Sequence, residues 1–73
     1  MNPSHEIGAA IKKLRLKKKL SQKQLSSKIY GVESNDATIS RIENGNWENT
    51  NFITIVNIFN ALDVNLIKLI KTL

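Results

Sequence analysis

Leu20-Ser21-Gln22-Lys23-Gln24-Leu25, followed after a gap by Thr38-Ile39-Ser40-Arg41-Ile42-Glu43-Asn44-Gly45, decides how this chain folds. The first segment carries a complete helix-start signal. Ser21 is a good N-cap, and Gln24 stands three residues on, where its amide can return a hydrogen bond to the cap. Leu20 and Leu25 flank this box at the two positions of a hydrophobic staple. Leu25 and Ile29 continue one apolar face, and Tyr30-Gly31 ends the helix, because glycine takes the left-handed conformation of a C-cap without a steric penalty. The second segment starts near Ser34-Asn35-Asp36, three residues that favour N-caps. Ile39 and Ile42 are its buried pair at i, i+3, and Asn44-Gly45 is a stop signal. Two short helices joined by a turn are therefore expected. The exposed side of the second carries Asn35, Asp36, Ala37, Ser40, Arg41 and Asn44.

The flanks read as helices too, with no strand pattern, repeat or low-complexity tract. Pro3 and Ser4 suit a helix start. Ile7, Ile11 and Leu14 recur at i, i+4 and i+7 to about Lys18, with Leu16 off the pattern and partly exposed. After a loop containing Trp47, a fourth helix starts at Thr50 or Asn51 and carries Phe52, Ile55, Val56, Ile58, Phe59 and Leu62. Being apolar on most sides, it is expected to be the central packing helix. Asp63 breaks it. Asn65 caps a fifth segment, with Val64 and Leu69 as a second staple. The expected fold is all-α: a compact five-helix bundle forming one domain over 1–73, with the two-helix motif at about 21–45.

Composition narrows the function. A 73-residue chain without cysteine has neither a disulfide framework nor a thiolate metal site, so its helices must pack on one another. No apolar run approaches a membrane span, and the N-terminus lacks the apolar core of a signal peptide. A cytoplasmic, nucleoid-associated protein is expected. The net charge of +5 is uneven: Lys12, Lys13, Arg15, Lys17, Lys18, Lys19, Lys23 and Lys28 follow one another with no acidic residue between them. Such asymmetry suits a polyanionic partner, although lysines also serve solubility alone. Catalysis is not expected. His5 is the lone histidine, near the terminus and away from any paired acid or nucleophile. There is no phosphate-cradling glycine loop and no carboxylate cluster at metal spacing. No cofactor, metal or small-molecule substrate is expected.

The two quoted segments resemble the phage-repressor and Cro-type helix-turn-helix family, in which Leu-Ser-Gln-x-x-Leu-Ala is followed, after a turn, by Thr-Ile-Ser-Arg-Ile-Glu-x-Gly. The resemblance runs from about position 7 to position 70. It implies double-stranded DNA as partner, with the helix at about 35–44 in the major groove and the preceding helix against the backbone. Asn35, Asp36 and Ala37 then hold the main base-reading positions: asparagine suits adenine, a carboxylate accepts from cytosine N4, and alanine touches a thymine methyl. One of Asn35 and Asp36 is expected to serve as a cap instead. Arg41 suits guanine O6 and N7, or a phosphate. Gln22, Thr38, Ser40, Asn44 and Asn46 fall at backbone-contacting positions. Trp47 is either a plug over its loop or a phosphate-bonding indole. Lys12, Lys13 and Lys17 to Lys19 supply long-range steering. Arg15 and Glu43 match a structural ion pair joining the first helix to the recognition helix.

Two departures stand out. The stretch 32–39 is two residues longer than the family spacing, which extends the turn between the two helices. Thr50 stands where the family commonly has proline. The implied function is a sequence-specific transcriptional regulator, a repressor by preference, binding a palindromic operator as a homodimer. Ile53 and Ile67 occupy positions that the family usually gives to polar residues, and either complete the core or form the dimer patch. The alternatives are an antitoxin or protein-interaction module on the same fold, the DNA-binding part of a longer ligand-sensing regulator, and, as a weak third, a membrane-surface helix over 7–19.

Overall fold

The computed structural model describes residues 3–48, 50–65 and 71. Among them are four α-helices and one short 3-10 turn, with no strand: α1 Pro3–Lys17, α2 Gln22–Tyr30, the 3-10 turn Glu33–Asn35, α3 Asp36–Glu43 and α4 Phe52–Ala61. The described helices number four where five were expected. The fifth segment and its Val64–Leu69 staple fall largely outside the described residues.

Local chemistry explains the boundaries. Ser21 Oγ accepts from the Gln24 backbone N–H at 3.0 Å, while Gln24 Oε1 accepts from the Ser21 N–H at 2.7 Å. This closed capping box starts α2. Gly31 ends it in the left-handed conformation (φ 77°), its N–H donating to Ser27 O at 2.9 Å. Asn51 opens α4 by accepting from the Thr54 N–H at 2.9 Å. Asp63, the expected breaker, has a φ of 64°. Lys19 also has a positive φ, 60°, in the turn after α1.

The core joins Ile11 of α1, Leu25 of α2, Ile39 and Ile42 of α3, Ile55, Ile58 and Phe59 of α4, and Leu62 just beyond it. Leu20 packs against the cluster that buries Leu25. The i, i+3 spacing of Ile39 and Ile42 and the i, i+3, i+4 spacing of Ile55, Ile58 and Phe59 put one face of α3 and one of α4 inward. Helix α4 supplies the largest buried apolar share, but it is not buried on every apolar side: Phe52 and Ile53 lie in its exposed first turn, at 55% and 64% exposure.

Gly8 sets the crossing of α1 over α3. A Cβ there would stand 2.7 Å from the Glu43 carbonyl oxygen and closer still to that of Ile42. Only glycine lets the two backbones approach so near. Glycine inside a helix costs about 1 kcal/mol relative to alanine, so its place in α1 reflects the packing.

Candidate nucleic-acid interface

Helix α3 is held on one side and open on the other. Ile39, Ile42 and Glu43 are buried. Ala37, Arg41 and Asn44 are exposed at i, i+4 and i+7, one line along the helix and its C-cap. Thr38 and Ser40 are half-buried at the edges of that line.

The two extra residues before α3 are taken up by the 3-10 turn Glu33–Asn35. Ser26, fully buried in α2, braces this connection by donating from Oγ to Val32 O at 2.7 Å. Asn35 then sits at the N-cap position of α3, but its side chain makes no capping hydrogen bond, and Asp36 is the first helical residue. Neither side chain is therefore used up as the expected cap of α3. The turn itself delivers the chain into helical conformation.

Arg15 and Glu43 meet beneath this helix. Arg15 Nε donates to Glu43 Oε2 at 2.6 Å and Nη2 to Oε1 at 3.1 Å, while Nη1 donates to Leu20 O at 2.8 Å. The two side chains are only 7% and 2% exposed. Gln22 Nε2 adds a third donor to the carboxylate, reaching Oε1 at 3.1 Å. One network thus ties α1, the turn after it, the start of α2 and the end of α3. Each partner satisfies the other's buried polar groups, which burial requires. The amide of Gln22 faces the protein interior as well as solvent, a partnership that the segment's local pattern did not suggest.

Beyond α3 the chain turns back over the core. Trp47 is half-buried and its Nε1 donates to Ile42 O at 3.0 Å. That bond uses the indole N–H within the protein and supports the plug reading of this residue. Asn46 is exposed, and its Oδ1 accepts a long hydrogen bond from the Glu48 N–H at 3.4 Å. Arg41 Nη2 lies 3.5 Å from Thr38 Oγ1, a weak tether that leaves the guanidinium in solvent. Thr38, Arg41, Asn46, Glu48 and Thr50 together line a polar cleft of about 320 Å³ beside α3. Glu48 and Thr50 are not among the site residues expected from sequence. They follow the motif, and no local pattern links them to it.

His5 is brought to the α3–α4 loop rather than left at a free end: a Cβ on Gly45 would stand 2.8 Å from its ring, and the neighbouring Ser4 Oγ donates to Gly45 O at 3.0 Å. In the turn after α1, Lys18 pairs with Asp63, just beyond α4. The hydrogen bond from Lys18, and then its charge, hold the Asp63 carboxyl below its ordinary value. Among the described residues no group of His, Asp or Glu side chains is placed to hold a metal ion, and no helix is long and apolar enough to cross a membrane.

A helix-turn-helix family model matches residues 11–69. The chain belongs to the Cro/C1-type helix-turn-helix family. It is thereby a DNA-binding transcriptional regulator, in a family whose members typically bind rather than catalyse. No curated protein and no solved structure shows significant similarity to it. The matched stretch of this helix-turn-helix chain takes in the end of α1 and all of α2, α3 and α4.

Proposed function

We propose that this helix-turn-helix chain is a sequence-specific repressor that reads the major groove with α3 and binds a palindromic operator as a homodimer. The observation that carries the reading is the exposed line of Ala37, Arg41 and Asn44 on a helix whose opposite face is locked by the core and by the Arg15–Glu43 network. A rigid helix with one free polar face suits groove insertion. Asn35, Asp36, Ala37 and Arg41 are the base-contacting residues of this reading. Arg41 addresses guanine, Asn35 adenine, Asp36 the cytosine amino group and Ala37 a thymine methyl.

Gln22, Thr38, Ser40, Asn44 and Asn46 position the duplex through its phosphates. Thr38 and Asn46 share the cleft of Arg41, which supports a joint backbone contact there. Repression needs only occupancy of the operator, whereas activation needs a further contact with the transcription machinery. A single small reader buries little surface, so two half-sites and two copies supply the specificity.

Selection of binding sites from a random duplex library at near-physiological salt tests this reading. The expected result is a palindrome with half-sites one helical turn apart. Recovery of salt-sensitive general binding alone would reject it.

A further inference from the structure

We propose that two copies of this chain pair through the start of α4, with Phe52 and Ile53 at the centre of the contact. This rests on the dimeric reading above and names its surface.

Phe52 and Ile53 are consecutive, large, apolar and more than half exposed. Beside them opens an apolar cleft of about 430 Å³, lined by Ile7, Trp47, Thr50, Asn51, Ile55 and Phe59 along with Phe52 itself. An exposed ring at the edge of a hollow on one surface suits a two-fold contact, in which the same patch must serve as both knob and hole.

Charge selects the occupant. The segment 49–62 contains no charged residue, although the chain carries +5 overall. A basic or acidic peptide would find no counter-charge there. A second copy, itself +5, can approach closely only where neither partner presents lysines. Leu16, also more than half exposed, makes the contrast: it lies among Lys12, Lys13 and Lys17, where two like-charged copies would repel. Exposed apolar side chains of this size mark interaction sites when they cluster, as Phe52 and Ile53 do. Helix α4 follows directly on the loop that leaves α3, so pairing here sets the two α3 helices in a fixed relation.

The chain has no cysteine, so a single introduced thiol reports the approach of two copies. Ile53→Cys in the full chain is compared, under mild oxidation, with Ala9→Cys on the exposed face of α1. Pairing predicts that Ile53→Cys forms the disulfide-linked dimer about tenfold faster or more, because the contact raises the effective thiol concentration. Adding Phe52→Ser brings the rate down to that of the control. Phe52 is more than half exposed, so its loss leaves the fold intact, which circular dichroism checks. Equal rates for the two thiols, in a chain that sediments as a dimer, would overturn this surface and leave the dimer standing. Sedimentation as a monomer, with and without the selected duplex, would overturn both. Trp47 is the only tryptophan and lines the cleft. In a monomeric chain, saturable quenching of its fluorescence by toluene would assign the cleft to a small apolar ligand instead, and would likewise overturn the pairing.

Discussion

Glu43→Gln is the sharpest test of how helix α3 is held. The carboxylate accepts from Arg15 Nε at 2.6 Å, from Arg15 Nη2 at 3.1 Å and from Gln22 Nε2 at 3.1 Å, at 2% side-chain exposure. The glutamine keeps the size but removes the charge and one acceptor oxygen. It also turns an amide N–H₂ towards groups that are themselves donors. The Arg15 guanidinium stays buried without its counter-ion. Breaking a buried pair in this way costs about 3–5 kcal/mol, against about 0–1 for an exposed pair. A chain of 73 residues has a total stability of roughly 4–11 kcal/mol. Its unfolding entropy near the midpoint is about 0.15 kcal/mol per kelvin, so the expected fall in melting temperature is roughly 20–30 °C. Replacing both partners, Arg15→Met with Glu43→Leu, should recover much of that loss, because no orphaned charge remains. Thermal melts followed by circular dichroism decide the matter. An unchanged midpoint for Glu43→Gln would show the pair to be open to water and refute the reasoning.

The other predictions address the packing and the interface. Gly8→Ala places a methyl group against two backbone carbonyls that cannot yield, so α1 must lift from α3, and a loss of about 1–3 kcal/mol is expected in denaturant unfolding. Arg41→Ala should weaken binding to the selected site by about 1–3 kcal/mol and relax preference at one base position; equal binding to every sequence as in the wild type would reject α3 as the reader. Glu48→Gln removes from the cleft of Arg41 and Asn46 a negative charge that would repel phosphates, and should strengthen binding to all duplexes alike by about 0.5 kcal/mol at low salt, on a charge-to-phosphate separation of roughly 8 Å in water. Asp63 titrates below its ordinary value because of Lys18. A depressed carboxyl stabilises above the unfolded-state value, and that contribution is lost as pH falls through the folded-state value. Asp63→Asn keeps a residue that tolerates the positive φ and should abolish this acid-limb dependence, with a difference from wild type that shrinks in high salt.

The scaffold of the candidate interface was legible in sequence where a residue's place in the fold depends on near neighbours. Ser21, Gln24 and Gly31 bound α2 through hydrogen bonds spanning three or four residues, and such bonds follow from residue type and spacing. Ile39 and Ile42 put one face of α3 inward by helical period, which leaves Ala37, Arg41 and Asn44 outward. The uneven lysines and the absence of cysteine were equally plain. These are properties of the chain itself, and they suffice for the helices, the exposed face of α3 and the expectation of a polyanionic partner.

Other features came only with the tertiary structure. The extended turn before α3 becomes a 3-10 turn braced by Ser26, a bond from the middle of α2 to Val32 that no capping rule anticipates. Gln22 stands at a backbone-contacting position by resemblance, and only the fold brings Glu43 within reach of its amide. The indole of Trp47 had two readings, and the position of Ile42 O separates them. Ile53 had two readings as well, and Phe52 was read as part of an apolar helix. Both lie in the first turn of α4, beyond the neighbours that bury Ile55, Val56, Ile58 and Phe59. Gly8 acquires its meaning only from the carbonyls of Ile42 and Glu43, far along the chain. The physical reason is the same in each case. Helix starts, stops and periodic faces are set by interactions within a turn or two, whereas burial, close approach and hydrogen bonding between helices depend on where distant segments come to rest.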